Sequence, residues 1–224
     1  VNTSTNNIGD VLEYQVDTAI PHYDASTLLS SIKYTITDTL SAGLDFTRQD
    51  ELSIVVADFA GNEKTLVKDT DYTVSYSADG KTMTINFVYP NIMAYNTLQL
   101  NYYAVINENA VIGGGENPNE VTLEYTNNPS TGQTSKPWDE TKTYTYGLQI
   151  LKYDAENENT KLAGAAFELQ DEAGNVIAAY EYDENGVVSG DGLVETDENG
   201  LAYFVGLEAG TYYLEETKAP EGYQ

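Results

Sequence analysis

The sequence predicts an all-β protein made of two sandwich domains, and three observations carry that prediction. Apolar residues recur with period two along most of the chain, while helical periodicity is hard to find. The alternating runs are short and separated by turn residues, a pattern that suits sandwiches. Thr, Tyr and Val are enriched, with 19 Tyr in 224 residues, as half-buried sheets prefer.

Taken in chain order, "VLEYQV" puts Leu12, Tyr14 and Val16 on one face of a strand. The stretch "DASTLLSSIKY" has room for a helical turn. In "IKYTITDTL", Ile32, Tyr34, Ile36, Asp38 and Leu40 share a face, and Lys33 points the other way. "YTVSYSADGKTMTINFVY" gives two alternating runs around Asp79-Gly80, a hairpin signal. Leu98, Leu100, Tyr102, Ala104 and Ile106 line up next, and "GGGENPN" leads into "NEVTLEY". Residues 1–130 are expected to form the first domain.

A composition break follows. "NNPSTGQTSKPWDETKT" is rich in Ser, Thr and Asn, contains Pro and lacks a period, so 131–146 is expected to be a linker. Trp138 within it either packs against a domain face, the favoured expectation, or is exposed for a partner. Beyond it, "YGLQILKYD", "GAAFELQDEAGNVIAAYEYD", "GLAYFVGL" and "GTYYLEETKAP" alternate again, with turns at two "DENG" stretches. The second domain is expected over 147–224.

Charge and composition exclude several function classes. The chain carries 36 acidic and 10 basic residues, a formal net charge of −26, which disfavours nucleic acid and anionic membranes as partners. Cysteine is absent, so disulfides and thiolate metal sites are excluded, and one His makes a His-based metal site or a Ser-His triad improbable. No apolar run approaches the ~20 residues of a membrane span. No cofactor is expected. The acidic stretches "DAENENT" and "DGLVETDENG" lack EF-hand spacing, and "IGGGENP" lacks the context of a phosphate cradle. Both read as turns.

Polar residues nevertheless recur on core faces. Asp38 lies among Ile32, Tyr34, Ile36 and Leu40, and Asn119 is in phase with Val121, Leu123 and Tyr125. Lys152 is in phase with Leu148 and Ile150, and Glu216 with Tyr212 and Leu214. Each one fits a strand end open to solvent, and a Lys–Glu pair fits a plain salt bridge. A Lys, an acid and an amide on one interior face have a chemistry of their own. Desolvation lowers the pKa of the lysine and raises that of the acid. A neutral amine is then a nucleophile, and a protonated acid polarises the amide. Attack expels ammonia and leaves an isopeptide crosslink.

"GLQILKYDAENENTKLAGAAFELQDEAGN" followed by "GLAYFVGLEAGTYYLEETKAPEGY" resembles the collagen-adhesin B-type (CnaB) domain of Gram-positive surface proteins. Its closing part looks like the E-box of sortase-assembled pilins. "NIGDVLEYQVDTAIP", "YTITDTLSAGLDF" and "NEVTLEYTNNP" resemble the preceding, collagen-adhesin A-like domain of backbone pilins. The resemblance implies two tandem Ig-like sandwiches, the second a CnaB-type fold lacking its last strand. It makes Lys152 the bond-forming lysine of the second domain and Glu216 its catalytic acid, with the acceptor Asn or Asp on a strand after "APEGY". In the first domain Asp38 becomes the acid and Asn119 the acceptor, ahead of Asn117, Asn127 and Asn128. The first domain's lysine is expected before the segment that opens with "VNTSTNNIGD".

By the same resemblance the chain is expected to be a structural subunit of a cell-wall-anchored, extracellular pilus shaft, joined head to tail to other pilin subunits by a sortase. Its only catalysis would be the formation of its own crosslinks. The alternative is a stalk or tip adhesin module that binds host matrix protein or glycan. An enzyme acting on an external substrate ranks third.

Overall fold

In the computed structural model of the chain, residues 2–183 and 185–223 are described, and they fall into two compact units. The first takes in Asn2, Asp10–Ile106 and Asn117–Lys142; the second takes in Thr3–Gly9, Asn107–Glu116 and the chain from Thr143 onward. Among the described residues no helix is long and apolar enough to cross a membrane.

Twelve strands cover the sequence up to Tyr144: β1 (Asn2–Thr5), β2 (Val11–Ala19), β3 (Tyr34–Leu40), β4 (Leu44–Thr47), β5 (Ser53–Ala57), β6 (Glu63–Thr65), β7 (Tyr72–Tyr76), β8 (Thr82–Phe87), β9 (Thr97–Ile106), β10 (Asn117–Asn128), β11 (Gln133–Ser135) and β12 (Trp138–Tyr144). One sheet runs β1-β12-β10-β3-β8-β7 with β11 added on β10, and the other runs β2-β9-β5-β6 with β4 added on β9. The alternation seen in the sequence decides which side chains meet between these sheets. Tyr34, Ile36 and Leu40 of β3 and Met83 and Ile85 of β8 face inward and are buried. Ile54 and Val56 of β5 and Leu98, Leu100 and Ala104 of β9 are buried from the other sheet. The hairpin signal at Asp79-Gly80 corresponds to β7 and β8, paired from Tyr72↔Phe87 to Tyr76↔Met83. The turn expected in 24–34 is a short 3-10 segment, Leu29–Ser31.

The linker expected over 131–146 is instead mostly strand. Gln133–Ser135 pairs with β10, and Trp138–Tyr144 enters the large sheet between β1 and β10. Its Thr-rich end favours strands, and Pro137 is harmless because it precedes the strand and offers only its carbonyl, which accepts from the Leu123 N–H. Trp138, expected to pack, is 65% exposed.

The second unit carries β13 (Tyr146–Leu151), β14 (Tyr153–Asp154), β15 (Asn157–Lys161), β16 (Ala166–Gln170), β17 (Tyr180–Asp183), β18 (Gly186–Ser189), β19 (Leu193–Glu195), β20 (Leu201–Leu207) and β21 (Tyr213–Lys218). Its sheets run β13-β20-β17-β18 and β19-β16-β21, with β14-β15 as a separate ribbon. Ile150, Ala202, Phe204 and Leu207 from the first sheet meet Phe167, Leu169 and Val194 from the second in one core. The segment Thr3–Gly9 completes this unit: the Ile8 N–H donates to the Gly206 carbonyl, and a Cβ on Gly206 would lie 2.7 Å from Ile8 side-chain atoms. At its far end, Tyr223 donates its hydroxyl proton to Asp154 Oδ2 at 2.7 Å, tying the "APEGY" turn to β14.

Candidate functional site

In the first unit, β3 lies between β10 and β8 and so has no free edge. Asp38 stands opposite Val121 on one side and Met83 on the other, and is 0% exposed. Asn119 pairs with Leu40, one diagonal step from Asp38 on the same face, and is 3% exposed. From the opposing sheet, Tyr102 donates its hydroxyl proton to Asp38 Oδ2 at 2.5 Å and accepts from Asn119 Nδ2 at 2.8 Å. Tyr14 stacks on Tyr102 with centroids 5.3 Å apart, which fixes the ring. Asp38 Oδ1 and Asn119 Oδ1 are both buried without a hydrogen-bond partner. Such atoms carry a full desolvation penalty, and buried polar groups are normally satisfied. A cavity of about 140 Å³ opens beside Asn119, lined also by Asn2, Tyr14, Tyr102, Val121 and Asp139.

Burial pushes the Asp38 carboxyl up to about 7, against the Tyr102 and Asn119 side chains, which favour the charged form. Burial and the neighbouring Asp38 charge hold the Tyr102 hydroxyl well above its ordinary range, so it stays protonated. The site is therefore a carboxyl able to change charge near neutrality, joined to a carboxamide by one phenol.

Among the described residues, Lys142 pairs with Glu140 of the cavity lining at 3.5 Å, and other lysines of this unit pair elsewhere. Lys33 pairs with Glu124 at 2.6 Å, as its phase predicts, and Lys64 and Lys81 pair with Asp71 and Asp45. Asn117 is also buried within β10, whereas Asn127 and Asn128 are exposed at its end. Tyr102 is the residue that sequence reasoning passed over. Its signal was present: it supplies the one hydroxyl in the otherwise apolar series Leu98, Leu100, Ala104 and Ile106.

The second unit brings Lys152 and Glu216 together, with Nζ donating to Oε2 at 2.7 Å. Lys152 lies between β13 and β14, where its N–H donates to the Gly200 carbonyl and its own carbonyl accepts from the Leu162 N–H. Glu216 stands opposite Phe167, a core residue, so its strand face was read in the right phase. Its seclusion was not: the side chains of Lys152 and Glu216 are 29% and 32% exposed. The cause is position, since β21 pairs with β16 alone among the described strands. The acidic turns are structural here. Asp197 of the second "DENG" accepts from the Asn199 and Leu201 N–H groups, which holds its carboxyl below the usual range.

A family model described as Gram-positive pilin backbone subunit 2, Cna-B-like domain, matches residues 8–129, more than half of the chain. The chain belongs to this family. Its residues 147–224 match a second family model, SpaA, described as a prealbumin-like fold domain. A curated relative, the Trypsin-resistant surface T6 protein of Streptococcus pyogenes serotype M6, is 26% identical over 242 residues, covering 100% of this chain and 41% of the relative. The solved T6 backbone pilin of serotype M6 Streptococcus pyogenes superposes with a TM-score of 0.79 at 25% identity, over 100% of this chain and 47% of that one. The group B streptococcus pilus 2b backbone protein gives a TM-score of 0.74 at 24% identity, over 99% and 83%, and shows likeness of fold. The chain spans less than half the length of the two T6 relatives it matches.

Proposed function

We propose that this chain forms part of the shaft of a Gram-positive cell-surface pilus, polymerised with other pilin subunits, and that each unit holds a site for a Lys–Asn isopeptide crosslink. Asp38 and Asn119 serve the first unit as acid and acceptor, and Lys152 and Glu216 serve the second as nucleophile and acid. The first unit's lysine and the second unit's acceptor come from outside residues 1–224. The observation that carries the reading is the pair of buried oxygens without a partner, on Asp38 and Asn119, on two side chains joined through the Tyr102 hydroxyl. Family membership and the T6 relatives support the pilus assignment.

In each site a neutral lysine Nζ attacks the acceptor Cγ. The Cγ–Nδ2 bond breaks, ammonia leaves, and an Nζ–Cγ amide remains. A dry site favours the neutral amine, and close packing supplies the proximity that makes a slow reaction practical. The product resists pulling, because a strand held by a covalent bond cannot be peeled from its sheet. It also closes a loop in a chain that has no cysteine for disulfides.

The test is the intact mass of a longer polypeptide carrying the flanking strands. One ammonia is expected to be lost per crosslink. Asp38→Ala or Asn119→Ala should abolish the loss in the first unit, and Lys152→Ala or Glu216→Ala in the second. An unchanged mass in the parent protein would sink the reading.

A further inference from the structure

We propose that Tyr102 is a proton relay that completes the first site, carrying a proton from Asp38 to the departing nitrogen of Asn119. This rests on the reading of Asp38 and Asn119 as a crosslink site and assigns a third residue to it.

The geometry supplies the argument. Tyr102 Oη lies 2.5 Å from Asp38 Oδ2 and 2.8 Å from Asn119 Nδ2, so one hydroxyl touches both the acid and the atom that must leave as ammonia. Both distances are in the range for proton transfer between positioned groups. Asp38 Oδ1, the oxygen that Tyr102 does not use, is buried and unpartnered, free to accept a proton from an incoming amine. The carboxyl is thus split by function, one oxygen for the amine and one for the phenol.

The hydrogens balance. With Asp38 protonated on Oδ2, its proton points at Tyr102 Oη, and the Tyr102 hydroxyl, which accepts from Asn119 Nδ2 at first, turns its own proton to Nδ2 once that nitrogen has lost its amide character. Addition of the amine makes Cγ tetrahedral, and Nδ2 gains a basic lone pair. The amine then gives a proton to Oδ1, Oδ2 gives one to Tyr102, and Tyr102 gives one to Nδ2. The Cγ–Nδ2 bond breaks and ammonia leaves. Asp38 ends neutral with its proton on Oδ1, and Tyr102 ends as the phenol it began as. No net charge is created in the core, because the oxyanion of the adduct and the positive nitrogen beside it arise and vanish together, which suits a site walled by Tyr14, Val121 and Met83. The titratable groups that face the pair are Tyr14, Tyr102 and Tyr76, with Asp17, Asp139 and Glu140 at the cavity wall.

The experiment follows ammonia loss over time in a polypeptide lengthened ahead of Asn2 to include the lysine strand. Tyr102→Phe keeps the ring and removes the relay, and is expected to slow the loss about a hundredfold. Tyr103→Phe, which removes a hydroxyl from the next residue of β9, where the side chain points to the other face and lies under Arg48, is expected to react at the parent rate. Equal rates for Tyr102→Phe and parent would overturn the relay and leave the crosslink standing. No loss in the parent would take down both. If Tyr102→Phe does not fold, the parent's rate across mixtures of light and heavy water decides: several protons in flight give a curved dependence, and a straight line overturns the relay.

Discussion

Asp38 and Glu216 were picked out by the same rule, a carboxylate in phase with apolar neighbours, yet the fold treats them differently. Asp38 sits on β3, which has a strand on either side and the Tyr102 face of another sheet above it, and no part of it reaches solvent. Glu216 sits on β21, which has one neighbour among the described strands, and a third of its side chain is exposed. Phase decides which way a side chain points, and strand order decides whether anything covers it. Only the second condition changes protonation. Asp38 titrates near 7, far from an ordinary aspartate, because it has been taken out of water.

The sharpest way to break this contrast is to neutralise Asp38. Its folded pKa is raised from 3.8 to about 7, so the folded chain binds more protons than the unfolded chain between those values. Stability from this group is therefore fully present below about pH 4 and lost as pH rises through about 7. Asp38→Asn keeps the shape and removes the buried charge. It is expected to stabilise the first unit by roughly 2–4 kcal/mol at pH 8 and to change little at pH 4. Urea midpoints at the two pH values measure this. Equal destabilisation at both would mean that the carboxylate is satisfied and the two acids differ less than their burial implies.

The second contrast lies in the turns that hold the sites. Gly80 and Gly200 share a φ of +71°, but nothing lies within 4 Å of a Cβ on Gly80, whereas a Cβ on Gly200 would lie 2.3 Å from the Lys152 carbonyl oxygen. Gly80→Ala is expected to cost about 1 kcal/mol, the penalty of the left-handed backbone alone. Gly200→Ala should cost about 2–3 kcal/mol, since the Lys152 backbone must also move. Thermal melts of both variants give the difference. In a lengthened chain, Gly200→Ala should also slow ammonia loss in the second unit, as Lys152 is shifted from Glu216.

Much of this was legible in the residues. The period-two runs at 32–40 and 98–106 placed Asp38 and Tyr102 on inward faces, and Asp79-Gly80 marked a hairpin that is present. What alternation does not encode is which strands become neighbours. Asn119 meets Asp38 because β10 pairs with β3 across some eighty residues of sequence, and Tyr102 meets both from another sheet. Nothing in the Tyr102 run reveals the carboxylate opposite it. The same limit hid Ile8, which packs on Gly206 at the other end of the chain. It also hid β12, whose strand character comes from the sheet it joins more than from its own Pro- and Ser-bearing approach.

The smallest expected effect is the most discriminating for the second site. With both side chains about one-third exposed, the Lys152–Glu216 pair is screened by water and contributes about 0–1 kcal/mol. Glu216→Gln should accordingly leave the unfolding midpoint of the 1–224 chain nearly unchanged, and what change there is should shrink further in high salt. A lengthened chain changes the expectation: a strand laid along the free edge of β21 would cover the pair, and removing one partner of a covered pair is costly, about 3–5 kcal/mol. Denaturation of Glu216→Gln in the two lengths therefore measures seclusion itself. If the cost is several kcal/mol in residues 1–224 alone, the site closes without help and the distinction between an interior acid and an edge acid fails. If the cost appears only when β21 gains a neighbour, strand order is what turns a surface ion pair into a reactive one.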